Sequence, residues 1–89
     1  MQVPKLKILI EAGVVGEVTV SYDTNADGWT VQVLYTTRSG ERIEPLERQR
    51  GGARVFTTLD AVARCLAGAG RGAFRVNVAG LPGAGEEPP

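Results

Sequence analysis

The chain has 89 residues, of which 43% are hydrophobic and 22% charged, and its ten basic and ten acidic side chains cancel to zero net charge. This length predicts one domain with a modest core, and the neutral balance predicts a weak overall electrostatic field. The single cysteine excludes an internal disulfide, and no apolar run approaches the ~20 residues of a membrane helix. We therefore expect a cytoplasmic domain without a secretory signal.

Alternation of apolar and polar residues dominates the first half of the chain and predicts strands. Residues 5–10 place Leu6, Ile8 and Ile10 on one face, and residues 17–22 repeat the alternation. Each run is short and is bounded by glycines or by polar residues, as strands usually are. The sequence therefore predicts a first and a second strand over these two ranges.

Residues 29–37 form the strongest predicted strand, because β-branched and aromatic residues fit a pleated, half-buried surface. Ser39-Gly40 is typical of a hairpin turn and predicts a fourth strand near 42–44. Pro45 lacks an N–H donor, so it should end that strand or confine it to an edge. The side chains of the third strand that we expect to face the core are Trp29, Val31, Val33 and Tyr35.

Helical spacing of apolar residues appears only after a polar loop predicted over residues 46–52. Thr57 lies where a helix N-cap belongs, Asp60 follows three residues later, and Gly68 or Gly70 supplies the stop. A short return strand or an extended lead-in is expected near 54–56. The buried stripe of the helix should be Leu59, Val62, Ala63 and Leu66. A last strand over residues 73–79 should point Phe74, Val76 and Val78 inward.

These elements predict an α+β fold: an antiparallel sheet of four to five strands with one helix packed on one face, in the order β-β-β-β-α-β. Residues 1–80 should form this single domain. Residues 81–89 are rich in glycine and proline and lack a packing pattern, so they predict a disordered C-terminal tail.

Features that could support catalysis or metal binding are sparse. The chain has no histidine, and Cys65 therefore has no histidine to activate it. The Asp23-x-Asn25-x-Asp27-Gly28 run matches the first half of a calcium loop, but its twelfth position is Leu34 instead of glutamate. This run is better explained as a hairpin loop. The sequence predicts no enzyme activity, no catalytic residue, no cofactor and no metal site.

Arginine dominates the basic residues, with eight arginines against four acidic residues between positions 38 and 75. A glycine-containing loop with arginines can present guanidinium groups to phosphates. Interleaved glutamates at 41, 44 and 47 favour instead an exposed edge of weak ion pairs. The candidate residues for contact with a partner or with nucleic acid are Arg42, Arg48, Arg50 and Arg54.

The leading hypothesis from the sequence is a non-enzymatic interaction module. Leu9 and Leu34 are predicted on the otherwise polar, uncovered face of the sheet, and Pro45 marks an edge strand. Exposed edges and faces invite pairing with another chain. The expected partner is another protein or a second copy in a homodimer, with no membrane contact and no small-molecule substrate. The alternative is a nucleic-acid-binding module that uses the arginine- and glycine-rich loop.

One block resembles small accessory proteins encoded beside plasmid partition genes. The similar residues are Gln49-Arg50-Gly51-Gly52-x-Arg54-Val55-Phe56-x-x-Leu59-Asp60-Ala61-x-Ala63, then Gly70 and Phe74-x-Val76, with Glu11–Val15 and Gly28-Trp29 before them. The resemblance spans about residues 8–78. It implies a bacterial protein of a mobile element that assists DNA segregation or maintenance, with no functional motif to transfer.

Overall fold

The computed structural model describes residues 1–81, and within them it confirms the α+β class. No helix in this range is long and apolar enough to cross a membrane. The tail predicted for residues 81–89 lies outside the described residues from position 82 onward. In chain order the elements are α1 (Val3–Glu11), β1 (Val15–Asp23), β2 (Gly28–Thr37), β3 (Gly40–Pro45), α2 (Leu59–Gly68) and β4 (Arg75–Asn77).

The sheet has the strand order β3-β2-β1-β4. β2 pairs antiparallel with both β1 and β3, whereas β4 runs parallel to β1. The sheet is therefore mixed, and the prediction of a purely antiparallel sheet is wrong. A parallel pair needs a long crossover connection, and here the chain passes through two further strands and α2 before it returns beside β1.

The first element is a helix, so the strand predicted over residues 5–10 is wrong. Pro4 fits the first turn, where its missing N–H has no helical acceptor. Leu6 is fully buried while Ile8 is 64% exposed, so they do not share a face as strand residues would. Helical and strand periodicity compete in this sequence. The α1 residues that belong to the core or pack against it are Val3, Leu6, Leu9 and Ile10.

The core lies on one face of the β1–β2 hairpin. Val18 pairs with Val33 and Val20 with Val31, and each of the four is at most 1% exposed. The predicted inward face of β2 is confirmed, because its two aromatic residues are buried as well. Cross-strand pairs of β-branched side chains are the unit that stabilises such a sheet. The buried aromatic residues of β2 are Trp29 and Tyr35.

Helix α2 begins as a capped helix, one residue later than predicted. The hydroxyl of Thr58, not Thr57, accepts the N–H of Ala61 at 3.1 Å. Gly70, with a φ of 99°, follows the helix end. Ala63, predicted in the buried stripe, is exposed. The fully buried α2 residues, which belong to the same core as the valines of β1 and β2, are Val62 and Leu66.

The last strand is shorter than predicted. β4 covers three residues and hydrogen-bonds only to β1, so it lies at an edge of the sheet. Val76 and Val78, predicted to point inward, are 42% and 51% exposed. Phe74 is half-buried and packs against the core as expected. Val76 lies in this edge strand and Val78 follows its end, so neither is covered by the core.

The connection between β3 and α2, predicted as a polar loop, is bound to β2 by backbone hydrogen bonds. Leu46 is 1% exposed, and its N–H donates to the carbonyl of Val31 at 2.8 Å. Phe56 and Trp29 exchange two backbone hydrogen bonds of 2.7 and 2.8 Å, which form an isolated bridge. Of the two alternatives for residues 54–56, the extended lead-in to α2 is therefore the one that forms, and not a return strand. The residues between Leu46 and Phe56 are therefore held at both ends by β2.

Candidate functional site

Residues 47–54, hereafter the arginine loop, fold back on themselves. Glu47 and Ala53 form an antiparallel bridge, and the N–H of Arg48 donates to the carbonyl of Gly52 at 3.0 Å. Gly51 and Gly52 have φ angles of 87° and 76°, which glycine adopts without steric cost. The two glycines therefore allow the tight reversal of this arginine-containing loop.

The structure brings together three of the four predicted arginines. Arg48, Arg50 and Arg54 line one cleft of about 670 Å³ beside the start of α1. Gln2 closes the other wall, and its amide nitrogen donates to the carbonyl of Gln49 at 2.9 Å. Arg54 is half-buried, with its guanidinium carbon 4.7 Å from the ring centroid of the buried Phe56.

Arg42 lies apart from this cleft. It is exposed on β3, where its backbone is paired with Tyr35. Residues paired across two strands point to the same face of the sheet, so Arg42 and Tyr35 both lie on the core side, where Tyr35 is buried and Arg42 is exposed. The predicted four-residue cluster is therefore a three-residue cluster plus one arginine on the edge strand.

Two of the three glutamates expected to neutralise the arginines bind other groups. Glu44 accepts hydrogen bonds from the Tyr35 hydroxyl at 2.6 Å and from the Lys5 ammonium at 3.2 Å. Glu47 accepts one from the α-amino group of Met1 at 2.7 Å. Among residues 1–81, no carboxylate lies within 4 Å of a side-chain nitrogen of the four candidate arginines. The predicted ion pairs between these glutamates and arginines are therefore not formed.

The Lys5–Glu44–Tyr35 contact shifts two pKa values in the directions that strengthen it. The hydrogen bond from the Tyr35 hydroxyl, and then that from Lys5, lower the pKa of the Glu44 carboxyl below its usual 4.5, although partial burial opposes this. Hydrogen bonds to Glu44 and Tyr35 raise the pKa of Lys5 above its usual 10.5. Both groups therefore remain charged at neutral pH, and Glu44 is held at the α1–β3 contact.

We expect Tyr35→Phe to raise the pKa of the Glu44 carboxyl towards its usual 4.5, because the substitution removes the tyrosine hydrogen bond that is the largest cause of the lowered pKa. In the wild type, Glu44 binds fewer protons in the folded chain than in the unfolded chain. Its contribution to the free energy of unfolding is therefore complete above the unfolded pKa and is lost as the pH falls through the folded pKa. An NMR titration of the Glu44 Cδ resonance measures both variants, and an unchanged midpoint in Tyr35→Phe would contradict this assignment.

The outer edge of β3 is the second exposed surface with a clear structure. Ile43, in the middle of the strand, is 67% exposed and pairs with the half-buried Leu34 on the sheet face away from the core. Leu9, predicted beside Leu34, lies instead on α1 against the core. Ile43 was not among the predicted contact residues, although its alternation with Arg42 and Glu44 indicates an apolar side chain on the other face of the strand.

The remaining sequence candidates have structural roles. A carboxylate oxygen of Asp23 accepts the N–H groups of Asn25 and Ala26, which fixes the β1–β2 turn. Asp27, at a φ of 52°, accepts the hydroxyl of Tyr22 and raises the pKa of that phenol above its usual 10.0. Cys65 is half-buried against the core. Within residues 1–81, no three acidic, cysteine or histidine side chains are grouped as a metal site would require.

Comparison with known proteins identifies no family for this chain. Scans against protein-family models, curated proteins and solved structures each found no match to the chain.

Proposed function

We propose that the chain is a non-enzymatic interaction module that pairs with a second copy through the outer edge of β3. The observation that carries this proposal is Ile43, which is 67% exposed at the centre of an edge strand. Edge strands present unpaired backbone groups, and an uncovered apolar side chain beside them favours pairing with another chain. The resemblance to partition-associated proteins supports a role in plasmid or mobile-element maintenance within the bacterial cytoplasm.

The backbone of β3 determines which groups are available to a partner. In an antiparallel pair, alternate residues exchange hydrogen bonds. Leu46 donates to Val31 of β2, so the residues two and four positions earlier also face β2. Glu41 and Ile43 therefore direct their N–H groups outward. Pro45 has no N–H, and its carbonyl accepts the Met1 amine at 2.6 Å, which limits the available edge to a short segment.

Charge selects one symmetric register for this edge. With Ile43 opposite the partner's Ile43, the two isoleucines meet on the sheet face away from the core, and Arg42 lies opposite Glu44 of the partner subunit. A shift of the register in one direction places Arg42 opposite the partner's Arg42. The opposite shift places Glu44 opposite the partner's Glu44. Like charges directly opposite each other destabilise a strand pair, so the register centred on Ile43 is favoured.

The test is the oligomeric state over a wide range of protein concentration, measured by sedimentation velocity. We expect a monomer–dimer equilibrium, because an interface made mainly by one short strand is smaller than that of a permanent dimer. Ile43→Asp should shift the equilibrium to monomer, since it places two carboxylates at the two-fold axis. Ile8→Asp is the matched control, because Ile8 is equally exposed but lies on α1.

A wild-type chain that stays monomeric at the highest concentrations would overturn the proposal. Equal weakening of the dimer by Ile8→Asp and Ile43→Asp would overturn the assignment of the interface to β3. Circular dichroism of both variants establishes that they remain folded, since each replaces an exposed side chain.

A further inference from the structure

A second cleft adjoins the one lined by the arginine loop. It has a volume of about 540 Å³, lies between α1 and α2, and shares Val3 and Arg54 with the first cleft. The two clefts, which adjoin at these shared residues beside α1, are hereafter called the basic groove. Five cationic side chains line it: Lys7, Arg48, Arg50, Arg54 and Arg64.

The basic groove is positively charged although the chain is neutral overall. Glu47 is the one acidic residue that lines it within residues 1–81, and its carboxylate is bound to the Met1 amine. None of the five cations has a carboxylate within 4 Å among the described residues. Low-dielectric walls around charges of one sign focus the field, so this groove attracts anions more strongly than the net charge indicates.

The central cation of the groove is held in place. The backbone N–H of Arg54 donates to the carbonyl of Leu46 at 2.9 Å, and its guanidinium lies over the Phe56 ring. This stacking restricts the side chain, so less conformational entropy is lost when the guanidinium binds a ligand. Arg48 is close to the loop backbone, where a Cβ on Gly52 would lie 3.2 Å from its guanidinium.

We propose that the basic groove binds the phosphate backbone of a nucleic acid. Guanidinium groups match phosphate oxygens with paired hydrogen bonds, and five cations in two adjoining clefts suit a chain of phosphates better than a single anion. The isoleucines and valines that are more than 40% exposed all lie outside the groove, so it lacks the apolar anchors on which protein partners usually depend. Nucleic-acid interfaces are in contrast polar and positively charged.

The aromatic residues indicate which part of the nucleic acid is contacted. All five aromatic side chains are buried or half-buried, and Trp29 is only 7% exposed. The chain therefore has no open ring in the groove on which a base could stack. Binding through backbone phosphates alone is independent of sequence. This site is separate from the β3 edge, so it stands whether or not the chain forms the proposed dimer.

Fluorescence anisotropy with a labelled DNA duplex of ~20 base pairs at ~50 mM salt tests the proposal. We expect the logarithm of the binding constant to fall with the logarithm of salt concentration with a slope of about −3.6 to −4.5, for four or five phosphate contacts. Arg50→Gln and Arg64→Gln, which alter one cleft each, should each reduce affinity about tenfold and the steepness of the slope by about one. Arg38→Gln, an exposed arginine outside the groove, is the charge-matched control.

Three results would overturn the proposal: no binding by the wild type at ~50 mM salt, where phosphate contacts are strongest, an equal loss in Arg38→Gln, or equally tight binding of poly-glutamate. The absence of binding would exclude a nucleic-acid site. An equal loss in Arg38→Gln would exclude a site localised to the groove, and equally tight binding of poly-glutamate would exclude a preference for phosphate. Ile43→Asp separates this proposal from the dimer, because it should abolish self-association while each monomer still binds DNA.

Discussion

Replacing Leu6 by alanine is expected to lower the free energy of unfolding by about 2–5 kcal/mol, the usual cost of a cavity left by a buried leucine. Leu6 is fully buried in the core, whereas Ile8, two residues later, is 64% exposed. Ile8→Ala should therefore change stability by no more than about 0.5 kcal/mol. Urea denaturation followed by circular dichroism measures both variants against the wild type.

This pair of substitutions distinguishes a helix from a strand at residues 3–11. In a strand, Leu6 and Ile8 would share one face and their truncations would have comparable costs. Equal losses would therefore contradict the helix. A domain of this size has a small stability margin, so Leu6→Ala could be largely unfolded; Leu6→Val, with a smaller cavity, then provides the comparison. We expect Leu6→Val to fall between the wild type and Leu6→Ala.

The second large effect is expected at Gly28, where β2 begins. A Cβ added there would lie 2.8 Å from the carbonyl oxygen of Phe56 and would also overlap the Val55 side chain. That carbonyl accepts the N–H of Trp29, so it cannot withdraw without breaking the bridge. We expect Gly28→Ala to destabilise the fold by about 1–3 kcal/mol, as overpacking in a close contact does.

Gly68→Ala is the matched control for this effect. Gly68 ends α2, and an added Cβ would meet nothing within 4 Å. Alanine there should raise the free energy of unfolding by about 0.4–1 kcal/mol, because it reduces the conformational freedom of the unfolded chain. Urea denaturation of the two variants should therefore give shifts of opposite sign. A neutral result for Gly28→Ala would mean that the segment before α2 does not pack tightly on β2.

The two proposed surfaces depend on how the acidic residues are distributed. Glu44 is held by Tyr35 and Lys5, and Glu47 by the Met1 amine, so neither carboxylate pairs with an arginine of the arginine loop. The same contacts fix the start of α1 beside the end of β3. This arrangement leaves the basic groove positive, and it leaves Arg42 on the β3 edge without a carboxylate within 4 Å among residues 1–81.

The local pattern of the sequence determined the elements whose periodicity is unambiguous. The alternation of residues 29–37 can be satisfied only by a strand, so the buried face of β2 and the Ser39-Gly40 hairpin were predictable. The helical spacing of Val62 and Leu66 likewise identified α2. The arginine loop was predicted from its glycines and arginines, because residue types can be read from the sequence without knowledge of tertiary contacts.

Tertiary contacts decided the rest. Residues 3–11 satisfy both periodicities, and burial of Leu6 in the core selects the helix over the strand. The direction of β4 and the pairing of the glutamates depend on where distant segments meet, and no local pattern encodes that. The basic groove exists for the same reason, because Lys7 and Arg64 are far apart in sequence and become neighbours only when α1 and α2 flank Arg54.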